Sequence, residues 1–265
     1  MSAAIQARLG SILTELRLPT IKRLALDQCA QSDREGWPGN RLLEVLFEHE
    51  MNEREVRRIE RHRVDSALSP DKRLSSFDFA AVPSVSKAQV MALAEGHEWL
   101  DRGANVLLFG PPGAGKSHLV SGLGHALIDA GRRVLFMRCS ELVQRLQTAR
   151  RDLRLANELT KLDRYDLLVL DDISYVRRDQ AETSVLFELI SERYERKSIA
   201  VTANTPFSQW GEVFVDAAMT VAAVDRLVHH STILEMNVES YRRRVAQEEH
   251  APAKRARPAK QAKGD

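Results

Sequence analysis

Over positions 1–70, apolar residues recur at helical intervals. Leu9, Ile12, Leu13 and Leu16 share one face, Leu18-Pro19-Thr20 breaks the pattern, and Ile21, Leu24 and Leu26 mark a second, short helix. Gly36-Trp37-Pro38-Gly39-Asn40 reads as a turn. One long helix is expected from about Arg41 to Ala67, apolar in its first half (Leu42, Leu43, Leu46, Phe47) and densely charged in its second. Leu68-Ser69-Pro70-Asp71 then reads as a hinge. Beyond it, short apolar runs alternate with helical patterns and place strands at 105–109, 133–137, 167–171, 199–203 and 232–236. Leu167-Leu168-Val169-Leu170 is apolar without interruption, as a parallel strand covered on both faces requires. Gly131 stands where a helix would stop before the second strand. The alternation predicts a doubly wound α/β fold with a five-stranded parallel sheet over 71–247. A small all-helical domain over 1–70 precedes it, and a tail over 248–265 follows.

The length of 265 residues suits one ordinary domain and a smaller one. No apolar run reaches the length of a membrane span, and the first residues lack the apolar stretch of a secretion signal. Cys29 and Cys139 have neither metal-site nor CxxC spacing and are expected to be reduced, packed thiols. These features together predict a cytoplasmic protein. A net charge of +2 argues for no particular partner, but its distribution is uneven. Lys254, Arg255, Arg257, Lys260 and Lys263 lie among Ala and Pro in what reads as a disordered basic tail.

The strand at 105–109 runs into Gly110-Pro111-Pro112-Gly113-Ala114-Gly115-Lys116-Ser117, followed by His118 and a helix. This is G-x-x-x-x-G-K-S, the Walker A phosphate loop, in the strand-before, helix-after context it requires. Its glycines let backbone N–H groups approach phosphate oxygens. Lys116 reaches β- and γ-phosphates, Ser117 offers a hydroxyl to Mg²⁺, and the helix N-terminus faces the anion.

Asp171-Asp172 closes the apolar run 167–170 at the carboxyl end of a strand, the edge where open α/β sheets bind ligands. Asp171 fits the Walker B role of holding Mg²⁺, and Asp172 that of orienting and deprotonating the attacking water. Two such acids on successive residues point to ATPases that insert a strand between the two Walker strands. The fourth strand ends Val201-Thr202-Ala203-Asn204. Asn204 is the first choice for holding the water and sensing the γ-phosphate, Thr202 is the second, and a simple turn at Asn204-Thr205-Pro206 is the alternative. Arg226 precedes the last strand, where an arginine either projects across a subunit boundary to the γ-phosphoryl or pairs on the surface with Asp225. Arg242, in Tyr241-Arg242-Arg243-Arg244, either reaches the phosphates of its own subunit or belongs to a solvated basic helix end. His229-His230 has no third ligand nearby in sequence and reads as structural.

Between the second and third strands, Arg138, Arg145, Arg150, Arg151, Arg154, Lys161 and Arg164 are only partly offset by Glu141, Asp152, Glu158 and Asp163. With Arg150 and Arg154 four apart, a helix there would carry a compact positive patch suited to phosphate backbones without sequence readout. Arg57, Arg58 and Arg61 on the long helix either contact nucleic acid or a partner, or form a solvated face partly neutralised by i,i+4 pairs such as Glu53–Arg57.

Taken together these residues resemble the AAA+ ATPases of the initiator and helicase-loader group, and most of all the IstB-type helper ATPases of insertion-sequence transposition. The likeness rests on the helical front with Leu42-Leu43 and Glu53 to Arg61, on Phe77-Asp78-Phe79, Gly110 to Ser117 and Leu168 to Ile173, and on Thr202-Ala203-Asn204, Asp225-Arg226-Leu227 and Ser240-Tyr241-Arg242. It implies an ATP- and Mg²⁺-dependent ATPase that oligomerises on double-stranded DNA, deforms it and recruits a transposase. Asn204 would be sensor 1, Arg226 the arginine finger and Arg242 sensor 2. A DnaC-like helicase loader is the alternative within the class; a small-molecule kinase and a nucleotide-locked DNA clamp are the rivals outside it. Two departures stand out. The second Walker B acid is Asp172 where Glu is usual, which implies slower hydrolysis. Few residues follow the fifth strand, so the usual C-terminal helical lid is not expected; Phe77 and Phe79 then either help to hold adenine or form a packed aromatic pair.

Overall fold

The computed structural model describes residues 3–173, 179–206, 209–210 and 216–237. The helical front consists of α1 (Ala3–Glu15), α2 (Pro19–Glu35) and α3 (Gly39–Asp65). At 17 residues, α2 is longer than its apolar pattern announces. Pro19 starts it, where a missing N–H costs nothing, and Gly36 ends it at φ 67°. Leu13, Ile21, Ala25 and Leu46 form the small core between these helices.

Glu50, buried on α3, closes the N-terminus of α2 by accepting from the backbone N–H groups of Thr20 (2.8 Å) and Ile21 (3.0 Å). Those are orphan donors of a helix start, and a carboxylate is favoured there. Burial pushes the Glu50 carboxyl up, but the bonds from Ile21, Arg54 and Thr20 outweigh it and hold the group below its ordinary value of 4.5. A carboxyl with a depressed folded pKa contributes stability that is present above 4.5 and lost as pH falls through the folded value. Glu50→Gln is therefore expected to cost about 1–2 kcal/mol near neutrality. Its unfolding transition, followed by circular dichroism from neutral to acid pH, should be less acid-sensitive than that of the unmodified chain. Equal acid sensitivity in both proteins would remove Glu50 as the cause.

The sheet contains β1 (Asn105–Phe109), β2 (Val134–Arg138), β3 (Leu167–Asp171), β4 (Ser198–Ala203) and β5 (Ser231–Glu235). All pairings are parallel and the order is β2-β3-β4-β1-β5. Strand alternation divides the core into two layers. Leu107, Phe109, Leu168, Leu170, Ile199 and Val201 face α7 (Cys139–Arg151), α8 (Leu155–Leu162), α9 (Gln180–Arg193) and α10 (Ala217–Val228). Val106, Leu108, Leu167, Val169 and Ala200 face α4 (Lys87–Glu95), α5 (Glu98–Asp101) and α6 (Lys116–Asp129).

The stretch expected to be a hinge is packed at its start, while Pro70 and Asp71 are exposed. Ser66 and Leu68 are buried, and the Ser66 carbonyl accepts from the Phe136 N–H on β2 (2.8 Å). Farther along, the Ser69 carbonyl lies 2.9 Å from His125 Nε2. Gly122 of α6 lets this strap approach: a Cβ there would stand 2.7 Å from the Leu74 backbone nitrogen. Residues 66–76 thus run along α6, and Arg63 near the end of α3 binds Asp129 at its far end (2.7 Å).

Candidate nucleotide-binding site

β1 leads directly into the loop 110–117, and α6 starts at Lys116. The loop lies at the carboxyl edge of the sheet, between the ends of β4 and β5. A side chain at Gly110 (φ 155°) would strike the Met236 carbonyl at 2.6 Å. Gly115 (φ 99°) caps α6, with the Phe77 ring 3.1 Å from where its Cβ would be. Ala114 is buried, and its N–H donates to the Pro111 carbonyl across the loop (3.2 Å), while Pro112 is exposed.

One connected set of hydrogen bonds joins the tips of β1, β3 and β4. Lys116, itself buried, donates to the carbonyls of Gly110 (2.6 Å) and Pro111 (3.0 Å) and to Asn204 Oδ1 (2.8 Å). Asn204 Nδ2 donates to Asp172 Oδ1 (2.7 Å). Ser117 Oγ and Thr202 Oγ1 both donate to Asp171 Oδ1, each at 2.7 Å. The backbone N–H of Asp172, which has φ 62°, donates to Thr202 Oγ1 (2.8 Å). Lys116, Ser117, Asp171, Asp172 and Asn204 were all named from sequence, and the fold brings them to one edge. Both β4 candidates take part, Asn204 at the lysine and Thr202 between the acids.

These groups are hard oxygen donors beside a cation, a set suited to a Mg²⁺-bound triphosphate. Ser117 and Asp171, already in contact, would hold Mg²⁺, and Lys116 would turn from Asn204 and the loop carbonyls to the phosphates. His118 faces away from this edge; its Nε2 lies 3.1 Å from the Arg73 carbonyl and 3.2 Å from Ser76 Oγ. Of the two alternatives for Phe77 and Phe79, the structure shows the packed pair, edge to face with centroids 4.8 Å apart, and Phe77 also meets His118 at 5.4 Å. The pair therefore packs against the loop from the strap side.

Arg226 lies in the last turn of α10, at the opposite edge of the sheet. Its carbonyl accepts from Asn105 Nδ2 at the start of β1 (3.4 Å). Its guanidinium sits 4.9 Å over the Phe187 ring, and Nη1 donates to the Ala222 carbonyl (3.3 Å). The sequence alternative of an Asp225 partner overlooked this aromatic seat. Arg242 and the basic tail lie outside the described residues. His229-His230 does meet a third group in space: Glu195 brings a carboxylate within 4.8 Å of both rings on an exposed turn. The sequence reading missed it because 34 positions separate Glu195 from His229.

The arginine patch differs from its expected form. Helix α7 stops at Arg151, Leu153 takes a left-handed φ of 55°, and Arg154 precedes α8. Arg150 and Arg154 are therefore not neighbours on one helix. Arg150 turns to Ser184 (3.0 Å) and Glu188 on α9, Arg145 pairs with Glu158, Arg154 with Asp152, and Arg151 reaches Thr148 Oγ1 (3.2 Å). On α3, Arg57 binds Glu53 and Thr20 (both 2.7 Å), Arg58 binds Glu55 (2.6 Å), and Arg61 reaches the Arg57 carbonyl (3.4 Å). With Arg17, Arg54 and the exposed Leu16, they line a groove of about 1020 Å³.

A parallel sheet with β4 between the phosphate-loop strand and the Asp171 strand, and this set of polar tips at one edge, defines a P-loop protein of the AAA+ class. Comparison with known structures agrees on the fold. AMPPCP-bound DnaA from Aquifex aeolicus superposes with a TM-score of 0.54 at 17% identity, over 69% of this chain and 56% of that one. DnaI superposes with a TM-score of 0.50 at 17% identity, over 64% of this chain and 95% of that one. The chain belongs to the family of IstB-like ATP-binding proteins, whose model matches residues 11–249. An insertion-sequence ATP-binding protein of Sinorhizobium fredii is 63% identical over 96% of this chain and 85% of its own length. The IS21 ATP-binding protein of Pseudomonas aeruginosa is 40% identical over 75% and 74%. ATP is thus the nucleotide for which the loop is built. Among the described residues no helix is long and apolar enough to cross a membrane.

Proposed function

We propose that this protein is the ATP-hydrolysing helper of an insertion sequence, which assembles as an oligomer on double-stranded DNA, remodels it and recruits the transposase. The observation that carries the reading is the bonded set Lys116–Asn204–Asp172 and Ser117–Asp171–Thr202 at the nucleotide edge, in a chain whose relatives are insertion-sequence ATP-binding proteins. Mg²⁺ would neutralise charge on the β- and γ-oxygens. Asn204 orients the attacking water and Asp172 accepts its proton. The water oxygen bonds to the γ-phosphorus as the bond to the bridging oxygen breaks, and ADP leaves. Arg145, Arg150, Arg151 and Arg154, with Arg57, Arg58 and Arg61, supply phosphate contacts to DNA without reading its sequence. The acidic partners of Arg145, Arg150, Arg154, Arg57 and Arg58 exchange for phosphate on binding, so binding should be strongly salt-dependent.

The position of Arg226, remote from the nucleotide edge of its own subunit, supports action on a neighbour's γ-phosphoryl. Arg226→Ala is expected to retain ATP binding and to lose DNA-dependent turnover by about 10³-fold. Mixing it with Lys116→Ala subunits should restore part of the turnover, because each variant supplies what the other lacks. Size measurement with ATP and duplex DNA tests the assembly directly. A monomer under saturating ATP and DNA, or unchanged turnover in Arg226→Ala, would overturn this reading.

A further inference from the structure

Thr202 is buried, one residue before the end of β4, and its single hydroxyl touches both acids of the site. Its proton goes to Asp171 Oδ1 (2.7 Å), and its oxygen accepts the backbone N–H of Asp172 (2.8 Å). A hydroxyl has one proton to give and lone pairs to accept with, so the two bonds are compatible. Its carbonyl also accepts from the N–H of Ile173 (3.0 Å). The chain leaving β3 is therefore fastened to this one residue at two successive N–H groups.

We propose that Thr202 is the positioning residue of the hydrolytic site, aiming the Asp172 carboxylate through the backbone while holding the Asp171 carboxylate in place for the cation. Asp172 stands at φ 62°, a left-handed conformation that Asp adopts more readily than most non-glycine residues and that a bond to its backbone holds in place. The N–H bond to Thr202 Oγ1 is such a fixture. It directs a carboxylate one methylene shorter than Glu toward Asn204 Nδ2, 2.7 Å away. On the Asp171 side, Ser117 and Thr202 share one carboxylate oxygen. Were Ser117 to give its hydroxyl to Mg²⁺, Thr202 would still keep that carboxylate from rotating.

The inference rests on the hydrolysis reading above, so turnover of the unmodified protein is measured first, with ATP, Mg²⁺ and duplex DNA. Absent turnover there would count against hydrolysis itself and leave nothing for Thr202 to position. Given turnover, Thr202→Val keeps the shape and removes the hydroxyl, while Thr202→Ser keeps the hydroxyl and removes the methyl. The expected result is a kcat lower by about 30-fold or more in Thr202→Val, the weight of one hydrogen bond to a charged group, with affinity for a non-hydrolysable ATP analogue within about threefold. Thr202→Ser should stay within about threefold in kcat, and Thr202→Val should need more Mg²⁺ for half-maximal rate. A merely structural role would lower stability and analogue binding together and leave the Mg²⁺ requirement unchanged. Near-normal kcat in Thr202→Val, or a loss in Thr202→Ser as large as in Thr202→Val, would overturn the proposal. If Thr202→Val binds no analogue because it fails to fold, Thr202→Cys, with its weaker donor, is read by the same criteria.

Discussion

Lys116→Ala should abolish ATP binding at concentrations that saturate the unmodified protein, raising Kd by about 100-fold or more. The ammonium is buried and already gathers three acceptors, the carbonyls of Gly110 and Pro111 and the Asn204 amide oxygen. Its position offers phosphates a desolvated, charge-assisted donor, and one such bond is worth roughly 1.5–3 kcal/mol. Two phosphates lose it at once. Titration with a fluorescent ATP analogue reads the effect, and a thermal scan in the absence of nucleotide shows that the fold persists. Affinity within a few-fold of normal would remove the phosphate-loop assignment. The same variant should also release Asn204, so the contact from Asn204 to Asp172 is expected to loosen.

The second large effect lies away from the site. Arg193, at the end of α9, is fully buried, and burial pushes its guanidinium down to about 10 against the pull of Asp163 and Asp166. It donates to the carbonyls of Leu162 (3.0 Å), Tyr165 (3.0 Å) and Ser198 (2.9 Å), with Asp163 3.7 Å away. One side chain thus satisfies the carbonyls at the end of α8, at the turn into β3 and at the start of β4. Arg193→Met fills similar space but leaves those acceptors, and Asp163, without their donor. A loss of about 3–5 kcal/mol is expected, seen as a Tm lower by roughly 10 °C for a domain of this size. A shift of a degree or two would mean that water enters and replaces the guanidinium.

Much of the fold is legible in the chain because its signals are local. The apolar run 167–170 makes a strand covered on both faces, and the observed β3 ends at Asp171 as expected. Gly131 at φ 83° stops the turn after α6. The phosphate loop is legible for the same reason: a strand, eight consecutive residues and a helix contain its whole geometry. Within the stretch expected as a hinge, the burial of Leu68 was not legible, since Ser and Pro mark a turn in sequence, whereas packing of Leu68 against Gly124 and Val134 is a long-range fact. The helical arginine patch failed because a left-handed residue at Leu153 breaks the helix without any Gly or Pro to announce it. Arg193 and Asn105 were missed altogether; Asn105 ties the start of β1 to the start of β4 and the end of α10 through Ile199 N–H (2.9 Å) and the Leu227 carbonyl (3.1 Å). An arginine at the end of a helix and an asparagine at the start of a strand carry no pattern that distinguishes burial from exposure.

By itself the sequence determined the class of the fold, the strands, and the identity of the polar residues that gather at the phosphate-loop edge, because periodicity and the phosphate loop act over a few neighbouring positions. Only the tertiary structure decided which of these residues bond to one another. Strand order places β4 between β1 and β3, and parallel register then puts Thr202 beside both Asp171 and Asp172, and Asn204 between Lys116 and Asp172. Those contacts span from 30 to 88 positions of chain, and no local preference encodes a distance that the closing of the sheet creates.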